Sequence, residues 1–412
     1  MTLNCLKKTI FILIFICSLL SIMALPFVYA GDAYEEKNNS EVFLSGANDK
    51  SIAPPKVDAA GAIAIDLNSG RVLYSKDANT RRAIASTTKI MTAIVAIENG
   101  NLNDTVTVSK RAAEIWGSTI GLKTGEKLTL KELLYGLLLN SGNDASIAIA
   151  EHIAGSMENF VARMNAKAEE LGLKDTCFKT PHGLDTDGHY STASDLALIA
   201  RYALSNPVFS EIVRTVSTQI HGRSLYNTNE MLDYYPGADG VKTGYTGKAG
   251  RCLVCSATRD NWRIVSVVLG CATNTVRSES TRKILDYVFY NYKPYTLLGL
   301  EENVRNVPVI KGKLKDVPIL AVDEIKFPLK HDELDRIKTE IDIPESLEAP
   351  VKNNMEVGTI KFSLDGKLIA QSALKTGGDV PHKELKDYFN ELFYNWSKMM
   401  REGLIWRLGN LS

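Results

Sequence analysis

Strand-like patterns lie at both ends of a long segment whose interior has helical periodicity, and this arrangement restricts the fold more than any other feature of the chain. Residues 61–66 and 71–74 flank a polar turn and form a predicted hairpin. Residues 252–258 and 264–269 are apolar runs that form a second hairpin. Paired strands at both ends, with helices between them, predict an α/β domain whose antiparallel sheet joins the two hairpins and is covered by helices.

The helices between the hairpins have clear start and stop signals. Thr129 and Glu132 match a capping box at the head of a leucine-rich helix. An alanine-rich run follows, and residues 160–171 form a further predicted helix that ends before Gly172. With 45% hydrophobic and 23% charged residues, the chain has enough apolar mass for a folded core. Its formal net charge is zero, so no nucleic-acid partner is expected.

Residues 1–30 have the features of an export signal. Lys7 and Lys8 precede a long apolar run, and Val28 and Ala30 are small residues at the positions that a signal peptidase reads. We therefore expect a signal peptide and an exported, extracytoplasmic protein, with an uncleaved anchor as the alternative because the apolar run is long. The polar residues 31–55 predict a flexible linker, and residues 56–294 form the predicted α/β domain.

The pattern becomes β-rich after Pro294. Short runs of strand-forming residues continue to about Leu374, and Asp365-Gly366 is typical of a hairpin turn. The multi-domain chain is therefore expected to continue with a small all-β sandwich domain over residues 295–380.

The last segment, residues 381–412, returns to a helical period. Its apolar residues form one stripe: Leu385, Tyr388, Phe389, Leu392, Phe393, Trp396 and Met399. Cationic residues occupy other positions: Lys383, Lys386, Lys398 and Arg401. We expect an amphipathic helix that attaches the protein peripherally to the outer face of the cytoplasmic membrane without crossing it. A helix that packs on the β domain or pairs with another copy is the alternative.

Ser86 and Lys89 begin a predicted helix whose apolar residues continue to Ile97. Residues three apart on a helix lie on the same face. An amine in that position can accept the proton of the serine hydroxyl, which is what a weak nucleophile requires. A single Ser-x-x-Lys pattern is usually solvated helix surface, so this interpretation depends on further motifs.

Two further motifs supply that support. Ser141-Gly142-Asn143 falls on the turn after the leucine-rich helix, where a loop between packed helices can present polar side chains rigidly. Lys242-Thr243-Gly244 leads into a glycine-rich, then apolar, strand region. Either motif alone indicates an ordinary turn or strand edge, but the three together, in this order, indicate a catalytic site.

These motifs resemble the active-serine signature of penicillin-binding proteins and serine β-lactamases. With the β-rich domain and the tail, the chain is similar to low-molecular-weight penicillin-binding proteins of the serine D-alanyl-D-alanine carboxypeptidase family. The loop from His182 to Asp185 also resembles one typical of that family, whereas Tyr245 stands where some members carry His. The resemblance implies a β-lactamase/transpeptidase-like fold, peptidoglycan stem peptides as substrates and β-lactams as covalent inhibitors.

The resemblance also implies the catalytic roles. Ser86 would attack the carbonyl between two D-alanines, Lys89 would act as the base if it is neutral, and Ser141 would relay a proton to the leaving amine. Burial and the nearby Lys242 are expected to lower the pKa of Lys89. His182 is interpreted as a structural loop residue, because Lys89 already fills the role of base.

The implied substrate-binding residues are Asn143, Lys242, Thr243, Gly244 and Tyr245. Lys242 and Thr243 would bind the substrate carboxylate, with Arg277 as a further candidate. Gly244 would let its strand approach the substrate closely. The backbone N–H groups of Ser86 and Tyr245 would form an oxyanion hole.

Three other functions are alternatives to a carboxypeptidase. A class A β-lactamase needs a deacylating glutamate in a Glu-x-x-Leu-Asn loop, which is absent between Asn143 and Lys242. A DD-endopeptidase would use the same site and stays an alternative. A non-catalytic peptidoglycan-binding protein is disfavoured because Ser86 and Lys89 are intact.

No metal and no cofactor are expected. The cysteines outside the export signal are Cys177, Cys252, Cys255 and Cys271. Their even number permits disulfides, but spacing does not assign the pairs. Cys252 and Cys255 lack a second pair of ligands, and positions i and i+3 of a strand face opposite sides. Packing as small hydrophobic residues is the preferred interpretation.

Overall fold

The computed structural model describes the backbone of residues 52–409 and the side chains of residues 52–401. The predicted signal peptide at residues 1–30 and nearly all of the predicted linker at residues 31–55 lie outside the described residues. Both therefore stay predictions.

The first domain is built on a five-stranded antiparallel sheet with the order β2-β1-β9-β8-β7. Its strands, with two small hairpins on the periphery, are β1 (Gly61–Asp66), β2 (Val72–Lys76), β3 (Thr105–Thr107), β4 (Lys127–Thr129), β5 (Ser217–Ile220), β6 (Arg223–Tyr226), β7 (Ala238–Thr246), β8 (Gly250–Arg259) and β9 (Trp262–Cys271). The amino-terminal β1 pairs along its whole length with the late strand β9. The prediction that the two distant hairpins join in one sheet is confirmed.

The helices of this domain are α1 (Lys89–Asn99), α2 (Lys110–Ala113), α3 (Leu130–Leu138), α4 (Asn143–Ala154), α5 (Met157–Glu170), α6 (Ala193–Leu204), α7 (Pro207–Val213), α8 (Met231–Tyr234) and α9 (Asn274–Asn291). The predicted capping box at the start of α3 is present, because Thr129 and Glu132 bond to each other's backbone N–H. Gly172 has the left-handed φ of 70° that suits the end of α5.

Helices cover both faces of the sheet. Alternate strand residues, such as Ile63 and Val254, pack with α1 and α3–α7 in the larger core. Their neighbours, such as Ala62 and Leu253, pack against α9 in a second core. This alternation explains why the strands read as nearly continuous apolar runs: both of their faces are buried.

The second domain contains a six-stranded sheet with the order β14-β16-β17-β12-β11-β15 and a two-stranded sheet of β10 and β13. Its strands are β10 (Lys293–Leu298), β11 (Asn303–Ile310), β12 (Asp316–Ala321), β13 (Ile325–Leu329), β14 (Ile337–Asp342), β15 (Leu347–Glu348), β16 (Glu356–Leu364) and β17 (Lys367–Thr376). The β-rich domain predicted after the first one is confirmed, including the hairpin at Asp365-Gly366 between β16 and β17. Strands β10, β13 and β15 were not predicted.

Arg71 makes contacts between the two domains. Arg71, in the turn before β2, donates to Pro328 O and to a carboxylate oxygen of Glu333, both at 2.5 Å. Its guanidinium also lies over the rings of Tyr292 and Phe327, at 5.4 and 5.2 Å. Because Arg71 is mostly buried in this position, the contact combines charge with packing and fixes the second domain against the first.

The last element that the structure describes is a long helix, α10 (Leu385–Gly409). Among the described residues, none of the helices combines the length and the apolar character that crossing a membrane requires.

Candidate active site

The first two motifs meet at one amine. Ser86 lies in the 3-10 turn Ala85–Thr88, and Lys89 is the first residue of α1. The Nζ atom of Lys89 lies 2.9 Å from Ser86 Oγ, 2.8 Å from Asn143 Oδ1 and 2.7 Å from the backbone oxygen of His182. The structure therefore brings together three segments that are far apart in the sequence.

The hydrogen bonds of Asn143 define what Lys89 can do. Asn143 Nδ2 donates to Trp116 O at 2.9 Å, and that carbonyl only accepts, so Oδ1 must face Lys89. The carbonyl of His182 also only accepts. These two oxygens take both N–H bonds of a neutral amine, which leaves the lone pair of Nζ facing the Ser86 hydroxyl. The geometry suits proton transfer from Ser86 to Lys89.

The surroundings of Lys89 favour its neutral form. The side chain is 0% exposed. Burial lowers the pKa of Lys89 well below the usual lysine range, the positive charge of Lys242 lowers it further, and Asp144 opposes them. The two causes anticipated from the sequence are both present.

The turn between α3 and α4 carries the second motif. Ser141 is buried and has a left-handed φ of 63°, and Asn143 opens α4. The next residue, Asp144, accepts hydrogen bonds at 3.0 Å from the backbone N–H groups of Ile120 and Leu122. Asp144 therefore ties the loop that contains Trp116, the hydrogen-bond partner of Asn143, to the start of α4. Sequence reasoning missed Asp144, although it directly follows the Ser-Gly-Asn motif.

The third motif lies on the edge strand β7. Lys242 is 1% exposed, and its pKa is lowered to about 7 by burial and by the charge of Arg277. Lys242 Nζ donates to Thr243 O at 3.1 Å, and the Thr243 hydroxyl lies 2.6 Å from that of Thr228. The motif therefore places a second amine and a hydroxyl on the strand that borders the Ser86 turn.

Gly244 lies close to the turn that carries the nucleophile. A Cβ at this position would lie 3.0 Å from Ile84 O and 3.1 Å from Ser86 N. The glycine thus lets β7 approach this turn, and its predicted close approach to substrate stays a prediction. Tyr245, next on the strand, is 54% exposed, and the guanidinium of Arg251 lies 3.5 Å from its ring centre.

Arg277 is buried but is not a free cation. Its guanidinium binds both carboxylate oxygens of Glu230, and the Ser278 hydroxyl donates to the same carboxylate at 2.5 Å. Its position in the sequence makes Arg277 a further candidate for binding the substrate carboxylate. In the described structure its charge is already paired, and its clearest effect is on the pKa of Lys242.

His182 contributes through its backbone. Its ring is buried, and this burial is the main reason that the pKa of His182 is lowered to about 3. Its Nδ1 accepts from the backbone N–H of Leu184 at 3.1 Å. A ring held neutral in this way agrees with the structural interpretation of His182. The role of its carbonyl as a partner of Lys89 has no signal in the side chain and was missed.

The four cysteines within the described residues are free thiols. Cys252 packs in the core under the helices, whereas Cys255 packs in the core on the α9 side, as expected for residues three apart on a strand. Burial raises the pKa of the Cys252 thiol to about 11. No cluster of His, Cys, Asp and Glu suited to a metal ion occurs within residues 52–401.

Two family models match the chain. One, described as D-alanyl-D-alanine carboxypeptidase, matches residues 48–273, and the other, described as penicillin-binding protein 5, C-terminal domain, matches residues 292–382. The first match contains all three motifs, and the second covers the β-rich domain.

Individual relatives match over most of the chain. A D-alanyl-D-alanine carboxypeptidase of Bacillus subtilis (strain 168), DacF, is 38% identical over 352 residues, which are 83% of this chain and 90% of the relative. The D-alanyl-D-alanine carboxypeptidase DacA of Escherichia coli (strain K12) is 36% identical, with coverage of 86% and 94%. A solved structure of penicillin binding protein 5 from Haemophilus influenzae superposes with a TM-score of 0.70 at 31% identity, covering 81% of this chain and 100% of that one.

Proposed function

The chain belongs to the D-alanyl-D-alanine carboxypeptidase family of low-molecular-weight penicillin-binding proteins, and from this premise we propose that Ser86 forms the acyl-enzyme through which it removes the terminal D-alanine from peptidoglycan stem peptides. It is a serine-type hydrolase of the cell wall that binds penicillin. The observation that carries the assignment to Ser86 is the set of three short contacts around Lys89 Nζ.

Acylation requires one proton to move twice. Ser86 Oγ bonds to the carbonyl carbon between the two D-alanines, and its proton passes to the lone pair of Lys89. When the C–N bond breaks, that proton reaches the leaving amine, with Ser141 as the relay. The free D-alanine departs, and the shortened peptide stays on Ser86 as an ester.

Deacylation reverses these proton movements with water as the nucleophile. Lys89 takes a proton from water, whose oxygen bonds to the ester carbon. Ser86 recovers the proton as the ester C–O bond breaks. Lys89 is well suited to both steps because its pKa is lowered, so it can accept a proton and return it.

The remaining motif residues hold the substrate. Lys242 and Thr243 offer a cation and a hydroxyl to the terminal carboxylate, and Asn143 offers its side-chain amide to the substrate backbone. The backbone N–H groups of Ser86 and Tyr245 stabilise the negative oxygen of the tetrahedral intermediate. Such donors commonly contribute about 3–4 kcal/mol each to transition-state stabilisation.

Penicillin labelling tests the covalent step. Purified protein that lacks residues 1–30 is incubated with a fluorescent penicillin and separated on a denaturing gel. We expect a persistent adduct in the wild type and none in Ser86→Ala. Rapid loss of the adduct would indicate a β-lactamase, and no adduct in the wild type would indicate a binding protein without catalysis.

Product analysis tests the bond that is cut. Muropeptides are incubated with the enzyme, and the products are read by mass spectrometry. Loss of one terminal alanine from monomers supports the carboxypeptidase. Conversion of cross-linked dimers to monomers, with intact terminal D-alanine, would instead indicate the DD-endopeptidase.

We also propose that the protein acts outside the cytoplasmic membrane and that α10 lies on the outer face of that membrane. More than half of the surface of six stripe residues is exposed: Leu385 (79%), Phe389 (69%), Leu392 (70%), Phe393 (68%), Trp396 (53%) and Met399 (64%). Exposed apolar groups on one side of a helix, with lysine and arginine beside them, suit an interface with anionic headgroups. Such an anchor would hold the active site at a fixed reach above the membrane.

Flotation tests the anchor. Protein lacking residues 1–30 is mixed with anionic liposomes, with and without residues 382–412. We expect only the longer form to float. Equal recovery of both forms in the soluble fraction would refute the anchor, and sedimentation of the longer form as a dimer without lipid would assign the stripe to self-association.

A further inference from the structure

The residue before the nucleophile has an unusual backbone conformation. Ala85 has a positive φ of 48° and is 1% exposed. An alanine disfavours this left-handed region because its Cβ crowds the backbone, so neighbouring groups must hold it there. The groups that do so are visible on both sides of the peptide bond between Ala85 and Ser86.

A chain of three hydrogen bonds ends on the Ala85 carbonyl. The backbone N–H of Lys179 lies 3.0 Å from His189 Nδ1. His189 Nε2 lies 2.8 Å from Thr88 Oγ1, and Thr88 Oγ1 lies 2.8 Å from Ala85 O. The three residues at the end of this series of hydrogen bonds are buried: His189 is 7% exposed, Thr88 is 0% exposed and Ala85 is 1% exposed.

The direction of every bond in this chain is determined. The Lys179 N–H can only donate, so His189 Nδ1 accepts and its proton must be on Nε2. The Ala85 carbonyl can only accept, so the Thr88 hydroxyl donates to it and accepts a hydrogen bond from the Nε2–H of His189. Burial lowers the pKa of His189 to about 4, which keeps the ring neutral and the directions unchanged near neutral pH.

Holding the Ala85 carbonyl also aims the N–H of Ser86. The Ala85 carbonyl and the Ser86 N–H belong to one planar peptide group, and the peptide bond between these two residues is trans. In a trans peptide the C=O and N–H point in opposite directions. Fixing the oxygen toward Thr88 therefore fixes the Ser86 N–H toward the other side.

Glycines allow close approach on both sides of this peptide. On the carbonyl side, Gly183 has a φ of 85°, and a Cβ there would lie 2.0 Å from Ala85 O and 2.8 Å from Thr88 Oγ1. On the N–H side, a Cβ on Gly244 would lie 3.1 Å from Ser86 N. The N–H therefore lies against β7, next to the residue that supplies the second backbone donor.

We propose that Thr88 and His189 are positioning residues that hold the Ala85–Ser86 peptide with the Ser86 N–H aimed at the oxyanion of the tetrahedral intermediate. This inference rests on the proposed acyl-enzyme mechanism. Neither side chain touches substrate, and each acts through the Ala85 carbonyl. The donor aimed in this way stabilises charge that exists only after attack, so it affects acylation more than binding.

Two matched pairs of variants test the chain of hydrogen bonds. Thr88→Val keeps the shape and loses the hydroxyl, whereas Thr88→Ser keeps it. His189→Phe keeps the edge-on ring contact with Phe178, whose centroid lies 5.9 Å away, and loses the Nε2 donor. His189→Gln provides an amide N–H in place of that donor. Stopped-flow penicillin binding separates the acylation rate constant from the dissociation constant of the initial complex.

We expect Thr88→Val and His189→Phe to slow acylation by about tenfold or more, because each variant partly loses one oxyanion donor. The dissociation constant of the initial complex should change by less than about threefold. Thr88→Ser and His189→Gln should acylate within about threefold of the wild type. The double variant Thr88→Val/His189→Phe should be little slower than either single one, because both remove the same support. D-alanine release should show the loss in kcat and not in KM.

Thr176→Val is the control for general loosening of this loop. The Thr176 hydroxyl lies 2.7 Å from that of Ser191 and donates to Asp195 Oδ2 at 2.7 Å, and neither bond belongs to the series that ends on the Ala85 carbonyl. Its acylation rate should stay near wild type even if its melting temperature falls. An equal loss of acylation in Thr176→Val would overturn the proposal, as would a folded Thr88→Val that acylates at the wild-type rate. If His189→Phe does not fold, Thr88→Val decides. A wild type that forms no adduct at all would instead refute the acyl-enzyme on Ser86.

Discussion

The candidate active site and helix α10 depart from ordinary burial in opposite directions. In the site, Lys89 and Lys242 are 0% and 1% exposed, although lysine is among the residue types least often buried. On α10, Leu385 and Phe393 are 79% and 68% exposed, although such residues are usually covered. We propose a function for each departure: buried amines can be tuned for proton transfer, and exposed apolar groups can bind a surface.

The two regions differ in what maintains them. Lys89 is held by Asn143 and by the backbone of His182, which come from distant parts of the chain. The stripe on α10 needs only its own helical period, which local sequence supplies. Substitutions in the site should therefore change the rates of acylation and D-alanine release. Substitutions on the stripe should change only the binding of the protein to membranes.

Ser86→Ala should have the largest effect. It removes the hydroxyl that lies 2.9 Å from Lys89 Nζ, so both penicillin labelling and D-alanine release should be abolished. The melting temperature and liposome flotation should be unchanged, since α10 is untouched. The assays are labelling, amino-acid release and flotation on one preparation. D-alanine release by this variant would show that another nucleophile acts.

Lys89→Arg should be the next most damaging change. Arginine keeps the charge but cannot be deprotonated in a protein, so the base is lost. We expect acylation to fall by about 10²-fold or more, the usual scale for a general base. The rate constant is measured by stopped-flow with a fluorescent penicillin, and circular dichroism serves as the folding control. Acylation within a few-fold of the wild type would exclude Lys89 as the base.

Loss of the Lys242 proton should make kcat/KM decrease on the alkaline side of its pH profile. Burial and the charge of Arg277 lower its pKa to about 7, so the positive fraction of Lys242 declines as pH rises above that value. If the cation binds the substrate carboxylate, kcat/KM should fall at high pH by up to about tenfold per unit. Lys242→Arg keeps its charge and should flatten this limb, whatever its rate at neutral pH.

The profile is measured on a soluble stem peptide from about pH 6 to about pH 10, the range over which such a group loses its proton. An identical limb in the wild type and in Lys242→Arg would assign it to a different group. Flotation should show no comparable dependence on Lys242.

Phe393→Ala should have the smallest effect, confined to membrane binding. Removing one aromatic side chain that inserts into the lipid interface should weaken liposome partitioning by about 1.5–3 kcal/mol, or roughly tenfold or more, while kcat/KM stays the same. Leu368→Ala is the matched control, because Leu368 is also exposed (51%) but lies on β17 of the second domain. Equal loss of flotation in both variants would show that the stripe has no special role.

Much of the architecture was accessible from the sequence because it depends on local patterns. The apolar runs on β1 and β9, the capping box of α3 and the turn at Asp365-Gly366 were all identified, since each is encoded within a few residues. Strands β10, β13 and β15 were missed, because a proline-containing or very short strand has a weak pattern and is defined by its partner. The order of the three motifs identified the family before any geometry was known.

The sequence alone determined which residue types are available: the nucleophile and amine of Ser86 and Lys89, the two later motifs and the periodic stripe of α10. Only the tertiary structure decided how the amines behave, because a pKa depends on burial and on charges that folding brings near, as Lys242 does for Lys89. It also decided the contribution of the His182 carbonyl and the positions of Thr88 and His189 behind Ala85. Backbone groups are the same in every residue, so their roles can be recognised only after the chain has brought them to the site.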